Sequence, residues 1–400
     1  MSSYDLIVVG GGMVGLSLAA ALADTPLRVA VIDKGQPPVG QASDNDQSSY
    51  TNRVSALNHN SEQFLRDIGA WQHIAPARLS PYQQMSVWEK DSFARIGFAA
   101  DELAMSHLGH IVENSHICAG LYQAVKQAAN VDLLYGVAPK KLRLSEREAW
   151  LLLDDDEPVS APLMVAGDGA HSWLRQQARL PLTFWDYDHH ALVATIKTDL
   201  PHSHTAYQIF TPDGPLAFLP LPEDNLCSIV WSLPPELAKQ HGQASEAEFN
   251  KQLATAFDMK LGLCELQGER AVIPLTMRYA RNWSCDRVVL MGDAAHTIHP
   301  LAGQGVNLGF QDAKALAKHL LALADGNKDI GLRQNLRAYE RERKAETVAM
   351  IAAMEGIKRL FSNDIPPLKL LRGVGMRVAD ELTPLKQQLA KLAIEGVPSP

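Results

Sequence analysis

The feature that most constrains this 400-residue chain is a glycine triplet, Gly10-x-Gly12-x-x-Gly15, set between a strand-like and a helix-like apolar run. Asp5–Val9 reads as a parallel strand buried on both faces, and Met13–Ala23 as a helix packed on the resulting sheet. Gly10 permits the tight turn, Gly12 lets backbone approach a pyrophosphate, and Gly15 lets helix and strand pack closely. The phosphate then rests on the positive end of the helix. Arg28–Asp33 reads as a second strand, which completes a right-handed βαβ unit. Asp33 ends that strand, where a carboxylate can accept hydrogen bonds from a ribose. The apolar run Leu6–Ala23 does not read as a signal peptide or membrane span. No Lys or Arg precedes it, and Gly10, Gly11, Gly12 and Gly15 interrupt it. The triplet predicts dinucleotide binding but does not separate FAD from NAD.

Two further motifs narrow the choice. Gly167-Asp168-Gly169-Ala170-His171-Ser172, with Arg175 beyond it, follows the apolar strand Ala161–Ala166. Gly292-Asp293-Ala294-Ala295-His296 follows the strand Arg287–Met291 and leads through Pro300, Gly303, Gln304, Gly305 and Asn307 to Asp312. Asp293 is placed to bind the ribityl hydroxyls of a flavin. The Pro300–Asn307 turn offers backbone N–H groups and a helix N-terminus, which stabilise negative charge on a reduced flavin ring.

Residues 36–52 read as a polar loop and 115–129 as a helix. From Ala191 to Leu233, short alternating segments predict antiparallel sheet, unlike the opening unit. The βα pattern returns near Arg287. The expected fold is therefore mixed α/β. A discontinuous Rossmann-type FAD-binding domain (1–75, 100–180 and 280–330) is interrupted by a β-rich substrate domain (76–99 and 181–279). A helical C-terminal region (331–400) follows; it carries twelve Lys/Arg against eight Asp/Glu. That tail reads as an amphipathic helix packed on the body, or as a surface for membrane or a protein partner.

Together the motifs resemble the group A flavoprotein aromatic hydroxylases, with the fold of para-hydroxybenzoate hydroxylase, over residues 4–345. Arg53 matches a cofactor-contacting arginine of that family. Its setting, Arg53-Val54-Ser55-Ala56-Leu57-Asn58, resembles the ubiquinone-biosynthesis branch. So do Ser106–Asn114, Phe184–Tyr187, His189–Thr195 and His296–Asn307. The resemblance implies bound FAD and transient NAD(P)H, more often NADPH. One atom of O2 then passes to the ring of a polyprenylated phenol, at ring carbon 5 in the members it is most like. It implies cofactor contacts at Gly10, Gly12, Gly15, Asp33, Arg53, Asp168, Gly169, Asp293, Gly303, Gln304, Gly305 and Asn307. Asp33 departs from the pattern, since many relatives have Glu there. The WxWxIP-type segment of halogenases of this fold is absent. A hydroxylase of a soluble aromatic, and a non-catalytic flavoprotein sensor or scaffold, stay open as alternatives.

His296 and Pro300 are candidates for the flavin-ring environment, with His296 equally readable as a buttress of its turn. His189 and His190 read as structural or surface histidines. Glu113 and Asn114 either line the flavin or close the sheet. Phe210, Phe218, Leu219 and Trp231 are candidates for an apolar wall against a prenyl tail. The net charge of −8 argues against general nucleic-acid binding. Four cysteines without a CxxC pair fit a reduced cytoplasmic protein with no metal expected. A lipid substrate implies work at the inner face of the membrane or within a quinone-synthesis assembly, and a homo-oligomer is compatible with either.

Overall fold

The computed structural model describes residues 2–39, 50–298, 304–361, 366–382 and 386. Its organising layer is a six-stranded sheet in the order Ser284–Cys285, Val288–Leu290, Leu163–Ala166, Leu6–Val9, Val29–Asp33 and Val131–Tyr135. All neighbours are parallel except the two-residue edge strand Ser284–Cys285. Leu6, Ile7, Val8, Val29, Val31 and Val165 have no exposed surface, as strands covered on both faces require. The first helix runs Met13–Ala21, and the long helix Gln304–Asp325 packs against it. Helix Asn114–Val125 covers the first helix from another side.

A second layer is an eight-stranded sheet: His296–Thr297, Cys264–Ala280, Leu182–Thr198, Leu226–Leu233, Gly214–Pro220, Thr205–Thr211, Gln84–Glu89 and Arg95–Ala99. Pairing is antiparallel except between Thr205–Thr211 and Gln84–Glu89. Its spine is the pairing of the two 17-residue strands Leu182–Thr198 and Cys264–Ala280. The inner faces of this sheet divide the apolar residues between two clusters. Leu192, Ala194, Phe218, Ile229 and Trp231 pack under helices Pro235–Gln243 and Glu246–Ala256. Ala191, Val193, Leu275 and Met277 face the other way. Period-two alternation enforces that division.

Two smaller sheets were not foreseen from the sequence. Ser2–Ser3, Pro158–Ala161, Ala149–Leu153 and Pro139–Leu144 form one. Val54–Asn58, Gly109–Glu113 and Ser80–Tyr82 form the other.

The tail forms helices Arg333–Phe361 and Pro366–Glu381. The second docks on the Gln84–Ala99 hairpin. Arg372 pairs with Glu89, both buried, and Asp380 accepts the Gly97 N–H at 3.2 Å. Among the described residues, no helix is long and apolar enough to cross a membrane. All four cysteines are free. Burial pushes the thiols of Cys118 and Cys285 up to about 11 and that of Cys264 to about 12, so none is poised as a nucleophile.

Candidate active site

The three glycine motifs meet at one point. A Cβ on Gly10, whose φ is +110°, would lie 2.4 Å from the Gly167 carbonyl oxygen. One on Gly15 would lie 1.8 Å from the Gly10 oxygen, so strand and helix touch there. One on Gly167 would meet the Met291 methyl at 3.0 Å. One on Gly309 would meet Val14 at 2.6 Å, which seats the Gln304–Asp325 helix on the first helix. Arg175, 4% exposed, ties the second motif to the third by donating to the carbonyls of Ala170 (2.9 Å) and Ala294 (2.8 Å).

Around this contact the structure leaves space. Gly12 caps the first helix, and a Cβ there would meet nothing within 4 Å. No side chain caps that helix and no acidic residue stands in its first turn. Its free N–H groups suit a pyrophosphate. The same openness surrounds Gly169 and Gly305, the latter in the first turn of its helix. Asp33 stands at the strand end, where its Oδ2 accepts the Gly11 N–H (2.6 Å) and its Oδ1 the Gly35 N–H (2.7 Å). Each oxygen keeps a second lone pair for a ribose hydroxyl. Asp168 Oδ2 accepts the Leu174 N–H at 3.1 Å, whereas its buried Oδ1 has no hydrogen-bond partner. Burial raises the Asp168 pKa, as it does that of Asp293. Asp293 is nevertheless exposed to solvent. His296, Arg278 and Arg53 partly offset the effect of burial on Asp293. An orphaned carboxylate oxygen, a second carboxylate exposed at a strand end and a helix start without a side-chain cap fit FAD.

Beside these residues lies a cavity of about 310 Å³. One wall is polar: Asn52, Arg53, Asn114, Arg278 and Thr297. The rest of the lining is largely apolar and includes Ala191, Val193, Val230, Ile273 and Leu275, supplied by adjacent strands of the large sheet. A larger polar depression of about 610 Å³, bordered by Asp24, Asp67, Gln123 and Lys126, gathers no comparable set of groups next to the glycine turns.

Several residues fall elsewhere than the sequence suggested. Phe218 and Trp231 are buried on the opposite face of the sheet, Phe218 stacked on Phe257 (3.8 Å between ring centres) and Trp231 on His241 (4.6 Å). Phe210 stacks on Phe361 of the tail, and Leu219 packs with the cluster around Tyr82 and Ile111. None of the four lines the cavity. Asn307 is 3% exposed, and its amide clamps backbone, accepting the Asn58 N–H (3.2 Å) and donating to the Ala56 carbonyl (2.9 Å). His296 is buried, stacked on Trp283 and bonded to Asp312, which makes it a buttress of the Asp293 turn. Pro300 and Gly303 lie outside the described residues, and Gln304 begins its helix. Glu113 is buried with Arg78 (3.2 Å), while Asn114 reaches the cavity. His189 Nδ1 bonds the Tyr187 carbonyl at 2.9 Å.

A family model described as FAD binding domain matches residues 3–353. The ubiquinone biosynthesis monooxygenase COQ6 of Xenopus tropicalis is 32% identical, over 98% of this chain and 93% of its own. The chain belongs to the ubiquinone-biosynthesis branch of the FAD-dependent aromatic hydroxylases. A second member of that branch, the 3-demethoxyubiquinol 3-hydroxylase of Escherichia coli, is 34% identical, with 98% of both chains covered. Among solved structures, p-nitrophenol 4-monooxygenase PnpA of Pseudomonas putida DLL-E4 superposes with a TM-score of 0.79 at 18% identity. That superposition covers 98% of this chain and 97% of the other, and it bears on the fold alone. As in other hydroxylases of this branch, FAD supplies the redox and oxygen chemistry, and the protein is a monooxygenase.

Proposed function

We propose that this monooxygenase uses NAD(P)H, with NADPH preferred, and O2 to hydroxylate the ring of a polyprenylated phenol at carbon 5 during ubiquinone biosynthesis. The observation that carries the reading is the cavity of mixed lining beside Asp293. A phenol ring with a hydrocarbon tail matches a lining that combines two arginines with aliphatic side chains.

The cavity also bears on how the phenol is activated. Among the described residues, its lining holds no Asp, Glu, His or Lys. It does hold Arg53 and Arg278, whose charge favours the phenolate, the phenol proton passing to solvent water before the ring is enclosed. The aliphatic wall orients the ring and excludes water. Asp168 and Asp293 would hold cofactor hydroxyls, and the N–H groups at Gly12 its pyrophosphate. On this reading the chain acts by positioning and electrostatics, not by a side-chain acid or base.

Carbon 5 is supported by the branch-like segments Ser106–Asn114 and His189–Thr195. The resemblance to a 3-demethoxyubiquinol 3-hydroxylase favours a second reading, the same chemistry at another ring position. A tail-bearing substrate resides in lipid, so we place the enzyme in the cytoplasm at the membrane's inner face, within or beside a quinone-synthesis assembly. Val374 and Val378 on the helix Pro366–Glu381, with Leu382 just past its end, are spaced four residues apart and about half exposed, and supply an apolar stripe for that contact. Replacing the three with Ser should lower membrane recovery. Unchanged recovery would remove the stripe from the account.

The quinone precursors of aerobically grown source cells lacking this gene test the whole reading. Accumulation of a prenylphenol short of one ring oxygen is expected, and its structure names the carbon. Full ubiquinone with no accumulated precursor, in cells free of a redundant hydroxylase, would contradict it.

A further inference from the structure

We infer that helix His59–Asp67 and the loop before strand Gly109–Glu113 form a site for one divalent late-transition cation of the zinc class, ligated by His59, Glu62 and His107. His59 and Glu62 stand at the first and fourth positions of the helix and so share a face. Asn58 fixes the helix start by accepting the Ser61 N–H at 2.9 Å. Ligand atoms of His59, Glu62 and His107 all lie within 4.8 Å of one another. Tetrahedral zinc with bonds of about 2.0–2.1 Å needs its ligands roughly 3.4 Å apart. Rotation of the exposed His59 side chain closes the difference, and its exposure gives the ion a way in.

The surrounding bonds aim the ligands at one another. Arg66 holds Glu62 Oε1 through two contacts, at 3.0 and 2.8 Å, leaving Oε2 toward the histidines. His107 Nε2 lies 2.8 Å from that Oε2. The other His107 nitrogen bonds the Ser106 hydroxyl at 2.8 Å, the outer contact that typically orients a metal-binding imidazole.

A second, independent observation is His110. It is 7% exposed, and its Nδ1 lies 3.1 Å from Glu62 Oε2, the same carboxylate oxygen that His107 meets. Two imidazoles thus converge on one buried carboxylate oxygen. A cation among these side chains would take His110 as a fourth ligand, directly or through a bound water. Imidazoles with one carboxylate select zinc-like ions over magnesium or calcium. None of these four residues lines the flavin-side cavity. The spacing in sequence conceals the set, because Glu62 and His107 are 45 residues apart.

The test uses the FAD-loaded full chain, stripped with EDTA and titrated with ZnCl2, with MgCl2 as the hard-cation control. Bound zinc is counted by mass spectrometry, and the unfolding temperature is followed separately from activity. About one zinc per chain should be retained, with the unfolding temperature raised by roughly 2–5 °C. His59→Ala, a surface change that leaves folding intact, should weaken zinc binding at least tenfold, and His107→Ala likewise. Magnesium should do neither. Zinc retention no greater in the parent chain than in the two variants would overturn the site and leave a hydrogen-bonded histidine–glutamate cluster.

Discussion

His296 Nε2 lies 2.6 Å from Asp312 Oδ2, and both side chains are at most 1% exposed. The same Asp312 oxygen accepts the Gly292 N–H at 2.9 Å, and its other oxygen takes Arg343 Nε at 2.8 Å. One buried carboxylate therefore joins the strand end that presents Asp293, the histidine after it, and the helix of the tail region. Asp312→Asn should lose about 1–3 kcal/mol of stability, because the buried Arg343 then keeps only Glu346 as an ionised partner. His296→Ala should release FAD while turnover per bound flavin stays within about tenfold of the parent. Thermal melts and flavin-normalised rates check both. A drop of several orders of magnitude with FAD retained would make His296 a catalytic residue instead.

Acid should act through the same carboxylate. Burial alone would raise the Asp312 pKa, but His296 and Arg343 outweigh it and hold it below the usual range. Glu340 is lowered too, by Lys344, Ser284 and the Trp283 N–H against its burial. A carboxylate with a depressed folded pKa adds stability that is complete above its unfolded pKa, about 4, and is lost as pH falls through the folded value. Urea melts should show no contribution from these groups to a pH slope between about 5 and 7, and a steep loss below about 4. Asp312→Asn should flatten that acid limb.

The first motif separates folding from cofactor binding. A methyl on Gly15 would lie 1.8 Å from the Gly10 oxygen, so Gly15→Ala should disrupt the domain. A methyl on Gly12 meets no protein atom, and its φ of −82° suits any residue. Gly12→Ala should fold with stability within about 1 kcal/mol of the parent. It should nevertheless bind FAD at least tenfold more weakly, because the added methyl occupies the space left for the phosphate. Fluorescence titration of the stripped protein measures this.

The two faces of the large sheet should respond differently. Val193→Phe fills the cavity, so FAD should stay bound while substrate-stimulated NADPH oxidation falls at least tenfold. Phe218→Ala should instead cost about 3–5 kcal/mol of stability with little change in the Michaelis constant. Steady-state kinetics beside chemical denaturation distinguish them. The opposite pattern would return Phe218 to the substrate wall.

The nucleotide-binding frame was legible because its determinants are local. Gly10, Asp33, Asp168 and Asp293 sit at or just past strand ends whose apolar runs announce themselves, and Gly12 and Gly15 open the helix that follows the first of them. The substrate wall was not legible. Alternation identifies strands with two faces but not which face meets the flavin, and large aromatics drew attention to Phe218 and Trp231, while the cavity is walled by Val193 and Val230. Register shifts between Asp186 and His189, and between Val193 and Thr195, deepen the ambiguity, because a one-residue slip reverses a strand's faces. Asn307 was placed near the cofactor by its motif, but its amide is committed to the strand Val54–Asn58, a pairing no local pattern reveals.

The most direct measurement is the fate of isotopically heavy O2 in a reaction of the purified FAD-loaded protein with NADPH and a short-tailed 2-polyprenylphenol. One heavy oxygen is expected on the product ring, at carbon 5, with NADPH consumed in step with product. NADPH oxidation that yields only hydrogen peroxide, or a ring without heavy oxygen, would contradict hydroxylation of a prenylated phenol in this cavity.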